Sequence, residues 1–445
     1  MSLLVHIAVL FVLIKTCLWL WKHVHAKRRN LPPGNVGLPI IGETLSFLKT
    51  APSGKFYRDR EQKYGPIFKT SILGLKTVYV SGPEAMRQLF QLENRGLISW
   101  WPPSMQKLLG EGSVGAAPAE LHHNRKKALV NALKKVDYTE ICDQLGEIVN
   151  NEMSEWATKV KFEVHCHAKF LSIRCACTSL LGLDLTREEV GKVATMLKGF
   201  EDGLFTVPIN LPGTAYHKAI QSKIQLYEFL KGKFQPQTSN TCILSSTGWS
   251  EDIMPDAIVE LLFGAQETLS SFMTCSMLLL KKHPKVLQKL QKSIFGAGEL
   301  SDATYVDCVA KETLRLFPPI AGGFRITTKE IRLKDYVIPK SWGVTYNIRS
   351  THKQSPYFDD PDCFNPDQWL ALSGCLPQLH YIPFGGGAHA CVGRDYARVI
   401  WRLFLTTLTT RYAWDLITED PVLLSLPVVR PDGGMWARLF PLAEE

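Results

Sequence analysis

The chain has 445 residues, 45% hydrophobic and 21% charged, and 51 Lys and Arg against 42 Asp and Glu give it a formal net charge of +9. The hydrophobic fraction is ample for a large core, and the positive balance suits acidic partners or an anionic membrane surface; with no basic-aromatic interleaving, nucleic acid is not an expected partner. Its eleven cysteines are odd in number and scattered without a Cys-x-x-Cys pair, which argues against a secreted disulfide framework and for a reducing, cytosol-facing location.

Leu3 to Trp21 is almost wholly apolar, and at ~1.5 Å per residue a helix of that length nearly spans a hydrocarbon core. His6 and Lys15 interrupt it, although a lysine can snorkel along its stem. No small-residue cleavage site follows, so the stretch reads as a signal anchor rather than a cleaved signal peptide. Lys22, Lys27, Arg28 and Arg29 follow it and place the body of the protein in the cytosol. Leu31-Pro32-Pro33-Gly34 then forms a stiff extended hinge. The expected organisation is an anchor over 1–21, a basic flank and hinge over 22–36, and one large domain over 37–445.

Ile67–Ser71 and Thr77–Val80 alternate around Gly74 as a β-hairpin, and Pro83–Phe90 restarts as a helix. Leu97–Gly112 reads as a loop carrying Trp100 and Trp101, for which core packing and the lining of an apolar substrate cavity are equally open. His122-His123-Asn124-Arg125-Lys126-Lys127 opens a cation-rich helix, and Leu204–Pro212, which contains Phe205, is an apolar stretch suited to capping a cavity or entering a membrane. Gln235–Ser250 is a polar surface loop.

Pro255–Lys282 predicts a helix about 40 Å long that is apolar nearly all round. Glu260, Gln266 and Glu267 within it favour a buried core helix over a second membrane span. Its centre, Gly264-Ala265-Gln266-Glu267-Thr268, places an acid and a hydroxyl where burial is costly unless they are satisfied, which marks a functional candidate. Glu312 and Arg315 share a face of the Tyr305–Phe317 helix. Ile320 and Ala321 enter a strand with Arg325, Glu330–Pro339 and Val344–Arg349 read as further strands, and Pro427–Gly434, with Val428, reads as a hairpin tip.

Phe384-Gly-Gly-Gly-Ala-His-Ala-Cys-Val-Gly393 then precedes a helical apolar spacing from Arg394 to Arg411. The glycines allow tight turning and close approach to a flat ligand. A cysteine just ahead of a helix start meets the positive end of the macrodipole, which favours the thiolate that a haem iron takes as ligand. A phosphate-binding loop lacks its preceding strand-and-lysine pattern here. His165-Cys166-His167 and Cys175-Ala176-Cys177 lack zinc spacings and are given no metal role.

Phe384, Gly387, Cys391 and Gly393 resemble the haem-binding loop of the cytochrome P-450 family, with His389 where the family has arginine. Gly264–Thr268 resembles its oxygen-activation segment, with Ala265 for a glycine, and Glu312-x-x-Arg315 resembles its structural ion pair. Gln368 stands where a third, cationic member of that network is usual. The resemblance implies a mainly α fold with a small β region, and haem between the long helix and the cysteine loop. Cys391 would be the axial iron ligand; Phe384, Gly385, Gly387, His389, Gly393, Arg325, His122 and Lys126 would hold the cofactor. Thr268 and Glu267 would be catalytic, and Trp100, Trp101, Phe205, Ile320, Ala321 and Val428 would meet substrate.

Gly37–Leu45, Tyr305–Val309 and Tyr381–Gly387 are most similar to the retinoic acid hydroxylases, family 26. All-trans retinoic acid is the implied substrate. Arg95 is either its carboxylate partner or a solvated arginine. The implied partners are a membrane-bound NADPH-dependent cytochrome P-450 reductase and the endoplasmic reticulum membrane, with the catalytic domain facing the cytosol. Hydroxylation of another terpenoid or a sterol, or a haem-binding paralogue with reduced or no turnover, stays open.

Overall fold

A computed structural model of the chain describes residues 30–72, 74–135, 138–233, 243–295, 304–372 and 374–443, together with Leu13, Lys15 and Thr16. The expected anchor and most of its basic flank lie outside that set. Among the described residues no helix is long and apolar enough to cross a membrane.

The amino-terminal part runs α1 (Thr44–Thr50), α2 (Lys55–Tyr64), β1 (Ile67–Ile72), β2 (Leu75–Val80), α3 (Pro83–Gln91), β3 (Leu97–Ser99), α4 (Pro103–Leu109), α5 (Ala119–Lys134) and α6 (Tyr138–Thr158). Then come β4 (Phe162–Glu163), α7 (Val164–Leu181), α8 (Arg187–Glu201), α9 (Ala215–Lys231), α10 (Met254–Lys282), α11 (Pro284–Phe295) and α12 (Thr304–Leu316). Strands β5 (Gly322–Thr327), β6 (Ile331–Leu333), β7 (Tyr336–Ile338) and β8 (Gly343–Asn347) lead into α13 (Ile348–Lys353) and α14 (Gln368–Ala371). The chain closes with α15 (Arg394–Arg411), β9 (Tyr412–Leu416), β10 (Leu423–Leu424), β11 (Arg430–Pro431) and β12 (Trp436–Pro441).

The long helix predicted over 255–282 is α10. A proline in its first turn, Asp256 beside it and Lys281 and Lys282 in its last turn suit the helix macrodipole. It packs chiefly against α7. From Leu269 to Leu280 every α10 residue is buried, so the helix forms the axis of the larger core.

The β region lies to one side as a five-stranded sheet in the order β1-β2-β8-β5-β3. Its one parallel pairing, β2 with β8, sets Val78 opposite Val344, and a second apolar cluster including Val78, Val80, Met86, Leu89 and Val344 packs there. The predicted 67–80 hairpin is β1–β2. Leu97–Gly112 is not a plain loop: β3 pairs antiparallel with β5, setting Ser99 opposite Arg325, and Pro103 starts α4. The predicted strand over 344–349 gives way at Ile348 to α13, where the Asn347 side chain caps the helix by accepting from Ser350 N.

Candidate active site

Three backbone bonds shape the 382–393 loop, two of them closing tight turns, Gly385 N to Ile382 O and Ala390 N to Gly387 O. Gly385 and Gly387 both have left-handed backbones, with φ of 69° and 66°. Cys391 N donates to Phe384 O at 2.9 Å, closing the loop on itself. Neighbours fill the space where side chains would stand: a Cβ on Gly386 would lie 2.5 Å from the Phe90 ring. Cys391 opens onto a cavity of about 430 Å³. Burial pushes its thiol up, and the Gly393 N–H, Lys126 and Arg394 offset this only in part; that N–H stands 3.3 Å from the sulfur at the start of α15.

The opposite wall is α10. Gly264, Ala265 and Thr268 line the cavity, and the Thr268 hydroxyl donates to Gly264 O at 2.7 Å. A Cβ on Gly264 would meet no atom within 4 Å, leaving this wall open to a bulky group. Glu267 does not line the cavity; its carboxylate turns away to pair with Lys169 of α7. Lys169 also reaches Glu201 at 3.3 Å, and Gln266 donates to Glu201. Burial lowers the Lys169 pKa, but Glu267 and then Glu201 outweigh it and the shift is upward.

His122, Lys126, Arg325 and His389 gather on the Cys391 side of the cavity. The His122 and His389 rings lie 4.0 Å apart between centroids. Burial first, then Lys126, Arg325 and His123, lowers His122 to about 4; burial first, then His122, Arg325 and Lys126, lowers His389 to about 3. Lys126 Nζ donates to Ala388 O at 2.8 Å and Ala390 O at 2.6 Å, tying α5 to the cysteine loop. Arg325 is already paired, with its Nη2 2.6 Å from Glu93 Oε1. Glu93 Oε2 in turn accepts from Ala388 N at 2.7 Å.

Glu312 and Arg315 form a fully buried pair, Nε to Oε2 at 2.8 Å. Arg315 also donates to Pro361 O and Cys363 O, both at 2.7 Å. The charge missing at Gln368 is replaced by neutral donors: Gln368 Nε2 and Trp369 Nε1 each donate to Glu312 Oε2 at 2.9 Å. Below them His352, fully buried, has Nδ1 3.1 Å from Arg315 O and accepts from Ile382 N at 2.9 Å. That imidazole joins the Glu-x-x-Arg helix to the base of the cysteine loop.

Several expected substrate contacts do not reach the cavity. Trp101 and Ile320 line it, but Trp100 packs edge-on against Phe324. Phe205 is exposed on the outer surface, and Arg95 is exposed and outside the cavity wall. Val428 is buried behind Ile320, which it meets in an isolated β-bridge, and Ala321 spends its carbonyl on Ile348 N at 2.7 Å. Gly387 also stays outside the lining, backed by Glu93. Glu93, Lys169, Glu201, Glu260 and His352 carry polar contacts that sequence reading missed. Each bonds to a distant segment, and only an acid or imidazole set among apolar neighbours hints at it.

A sulfur at a helix start on one wall, an open glycine on the other and cations on the rim suit a flat, acidic, sulfur-ligated cofactor. The sequence model of the Cytochrome P450 family matches residues 32–205 and 228–434. Cytochrome P450 26C1 of Mus musculus is 32% identical over 96% of this chain and 92% of its own length. Cytochrome P450 26A1 of Xenopus laevis is 31% identical over 99% and 98%. The structure of a retinoic acid-bound cyanobacterial CYP120A1 superposes with a TM-score of 0.83 at 29% identity, covering 93% of this chain and all of that one. The chain therefore belongs to the cytochrome P450 family, as a monooxygenase whose haem iron is held by a thiolate.

Proposed function

We propose that this monooxygenase hydroxylates all-trans retinoic acid. The observation that carries the reading is the largely apolar cavity between Cys391 and the Gly264–Thr268 wall. Family-26 relatives aligned over nearly the whole chain and a neighbour with retinoic acid bound support the substrate.

Cys391 would hold the haem iron through its thiolate. Phe384, Gly385, Gly387 and Gly393 shape its loop, and His122, Lys126, Arg325 and His389 face the cofactor's acidic groups. The haem, once bound, supplies oxygen activation. Thr268 Oγ, whose own hydrogen goes to Gly264 O, offers an acceptor to the cavity, and the Lys169–Glu267 pair holds a proton behind that wall, next to it in sequence. Glu312 and Arg315 fix the scaffold beneath the loop. Trp101 and Ile320 bound the space left to substrate.

Electrons come from an NADPH-dependent cytochrome P450 reductase, for which Lys127, Lys134 and Lys135 present charge. Residues 1–21 anchor the protein in the endoplasmic reticulum membrane, 22–36 form the hinge and 37–445 the cytosol-facing catalytic domain. Exposed Ile40, Leu45, Val207 and Leu211 suit contact with that surface.

Titrating the ferric holoprotein with all-trans retinoate tests the substrate: binding shifts the haem absorption band. Turnover with NADPH and reductase then yields a product one oxygen heavier. An unchanged spectrum with retinoate, beside a shift with a sterol, rejects the retinoid reading.

A further inference from the structure

The cavity wall opposite Cys391 carries a carboxylate, Glu260, that the sequence marks only as a polar position in a buried helix. Glu260 lies on α10 one helical turn before Gly264 and two before Thr268, on the same cavity-facing stripe. It stands ~12 Å along the helix axis from Thr268. Its Oε2 accepts from Val114 N at 2.5 Å and its Oε1 from Gly115 N at 2.7 Å. Burial pushes the Glu260 pKa up, and Asp256 adds to it, against the pull of those two N–H groups and Arg125; both oxygens nonetheless accept a hydrogen, the acceptor-only pattern of a carboxylate.

The 110–115 loop is built around α10 acids. A Cβ on Gly115 would come 2.8 Å from Glu260 Oε1, and one on Gly110 2.2 Å from Asp256 Oδ2. Asp256, one turn earlier, accepts from Gly112 N at 2.7 Å and pairs with Lys223 at 2.5 Å. Trp101 Nε1 donates to Gly115 O at 2.9 Å, holding the same loop from its other side. Among the described residues Glu260 makes no ion pair. Arg125 acts on it only through space and is absent from the cavity wall. The lining cations, Lys126 and Arg325, are bound up with the cysteine loop and with Glu93. Once the cofactor's acidic groups face those cations and Cys391 holds the iron, Glu260 is the carboxylate left in the described wall.

We propose that Glu260 is a selectivity residue whose carboxylate bars an anionic group from the inner cavity, so that an acidic isoprenoid is admitted only with its apolar end leading. This rests on reading the cavity as the substrate site. An acid at the trailing end is tolerated, and one at the leading end meets a like charge in a poorly screened pocket, which weakens binding about tenfold or more. Neutral hydroxyl groups meet an acceptor there instead.

The test titrates the ferric holoprotein with three ligands of one C20 isoprenoid skeleton: the monoacid, the α,ω-diacid, and the diacid esterified at its ω end. The expected order is monoacid and ester binding alike, with the diacid at least about tenfold weaker. An ester as weak as the diacid overturns the proposal, because shape rather than charge is then the barrier. In Glu260→Gln the gap between monoacid and diacid narrows at least about fivefold. In Asp256→Asn, which removes a charge one turn away from outside the cavity wall, the gap stays as in the wild type. An unchanged gap in Glu260→Gln, or equal narrowing in both variants, also overturns it. Absence of any retinoate shift, with the gap behaving as expected, rejects the retinoid substrate and leaves the role of Glu260 standing.

Discussion

Gln368 Nε2 donates to Glu312 Oε2 at 2.9 Å, giving an amide where a guanidinium is the family habit. With Trp369 Nε1 on the same oxygen and Asn365 N on Oε1 at 2.8 Å, the buried carboxylate is satisfied without a second cation. Removing one neutral donor should cost about 1–3 kcal/mol, the penalty of an unmet buried acceptor. Removing Arg315 should cost about 3–5 kcal/mol, because the buried Glu312 charge loses its guanidinium partner. Denaturant midpoints of Gln368→Ala, Trp369→Phe and Arg315→Ala check the ranking. A Gln368→Ala protein as stable as the wild type would show that the amide is dispensable.

The pair itself was legible because glutamate and arginine three apart on a helix meet by local geometry. Its neutral partners were not, since Gln368 and Trp369 arrive from 56 and 57 residues away. The same boundary runs through the whole site. Cys391, its glycines and the α10 stripe are sequence-local and readable by spacing. Glu93 meets Arg325 across 232 residues, and no spacing in the chain announces it. Side-chain direction was the second limit. Trp100 and Trp101 follow a strand, where successive side chains point to opposite faces, so only Trp101 reaches the cavity. Apolar character alone could not separate Phe205, which faces outward, from Ile320, which lines the cavity.

His352 is buried with both ring nitrogens engaged by backbone, and burial lowers its pKa to about 3. The folded protein therefore binds this proton less readily than the unfolded chain, whose histidine titrates near 6.5. The stability it contributes is present above about pH 6.5 and is lost as pH falls toward 3, by up to ~1.4 kcal/mol per pH unit. His352→Gln should be less stable at pH 7.5 and show a shallower loss below pH 6.5. Unfolding free energies measured from pH 7.5 to 5 check this; parallel curves for the two proteins would reject the assignment.

Glu201 shows the opposite sign. Burial and then the neighbouring Glu267 carboxylate push its pKa well up, against the pull of Lys169. A raised carboxyl keeps its proton in the folded state, so stability from this site is full below the unfolded value near 4.3 and declines as pH rises through the folded one. Glu201→Gln keeps the neutral shape and should remove that decline, making the variant the more stable protein at alkaline pH. A protonated-carboxyl infrared band present in the wild type at pH 6 and missing in Glu201→Gln would identify the group. If the variant declines with pH as the wild type does, the titrating site lies elsewhere.

Gly264 and Ala265 sit side by side in the cavity wall and make opposite predictions for stability and binding. A Cβ on Gly264 meets no atom within 4 Å, so Gly264→Ala brings no clash. Alanine in a helix interior is worth about 1 kcal/mol over glycine, so this variant should melt higher. Its methyl enters space used by bound groups, so retinoate should bind more weakly in the spectral titration. Ala265→Gly should lose about 1 kcal/mol of stability while widening the cavity, with equal or tighter binding. A Gly264→Ala protein that melts lower would mean the wall is closed where the geometry leaves it open. One that melts higher and binds retinoate unchanged would place the substrate away from this turn of α10, toward Glu260.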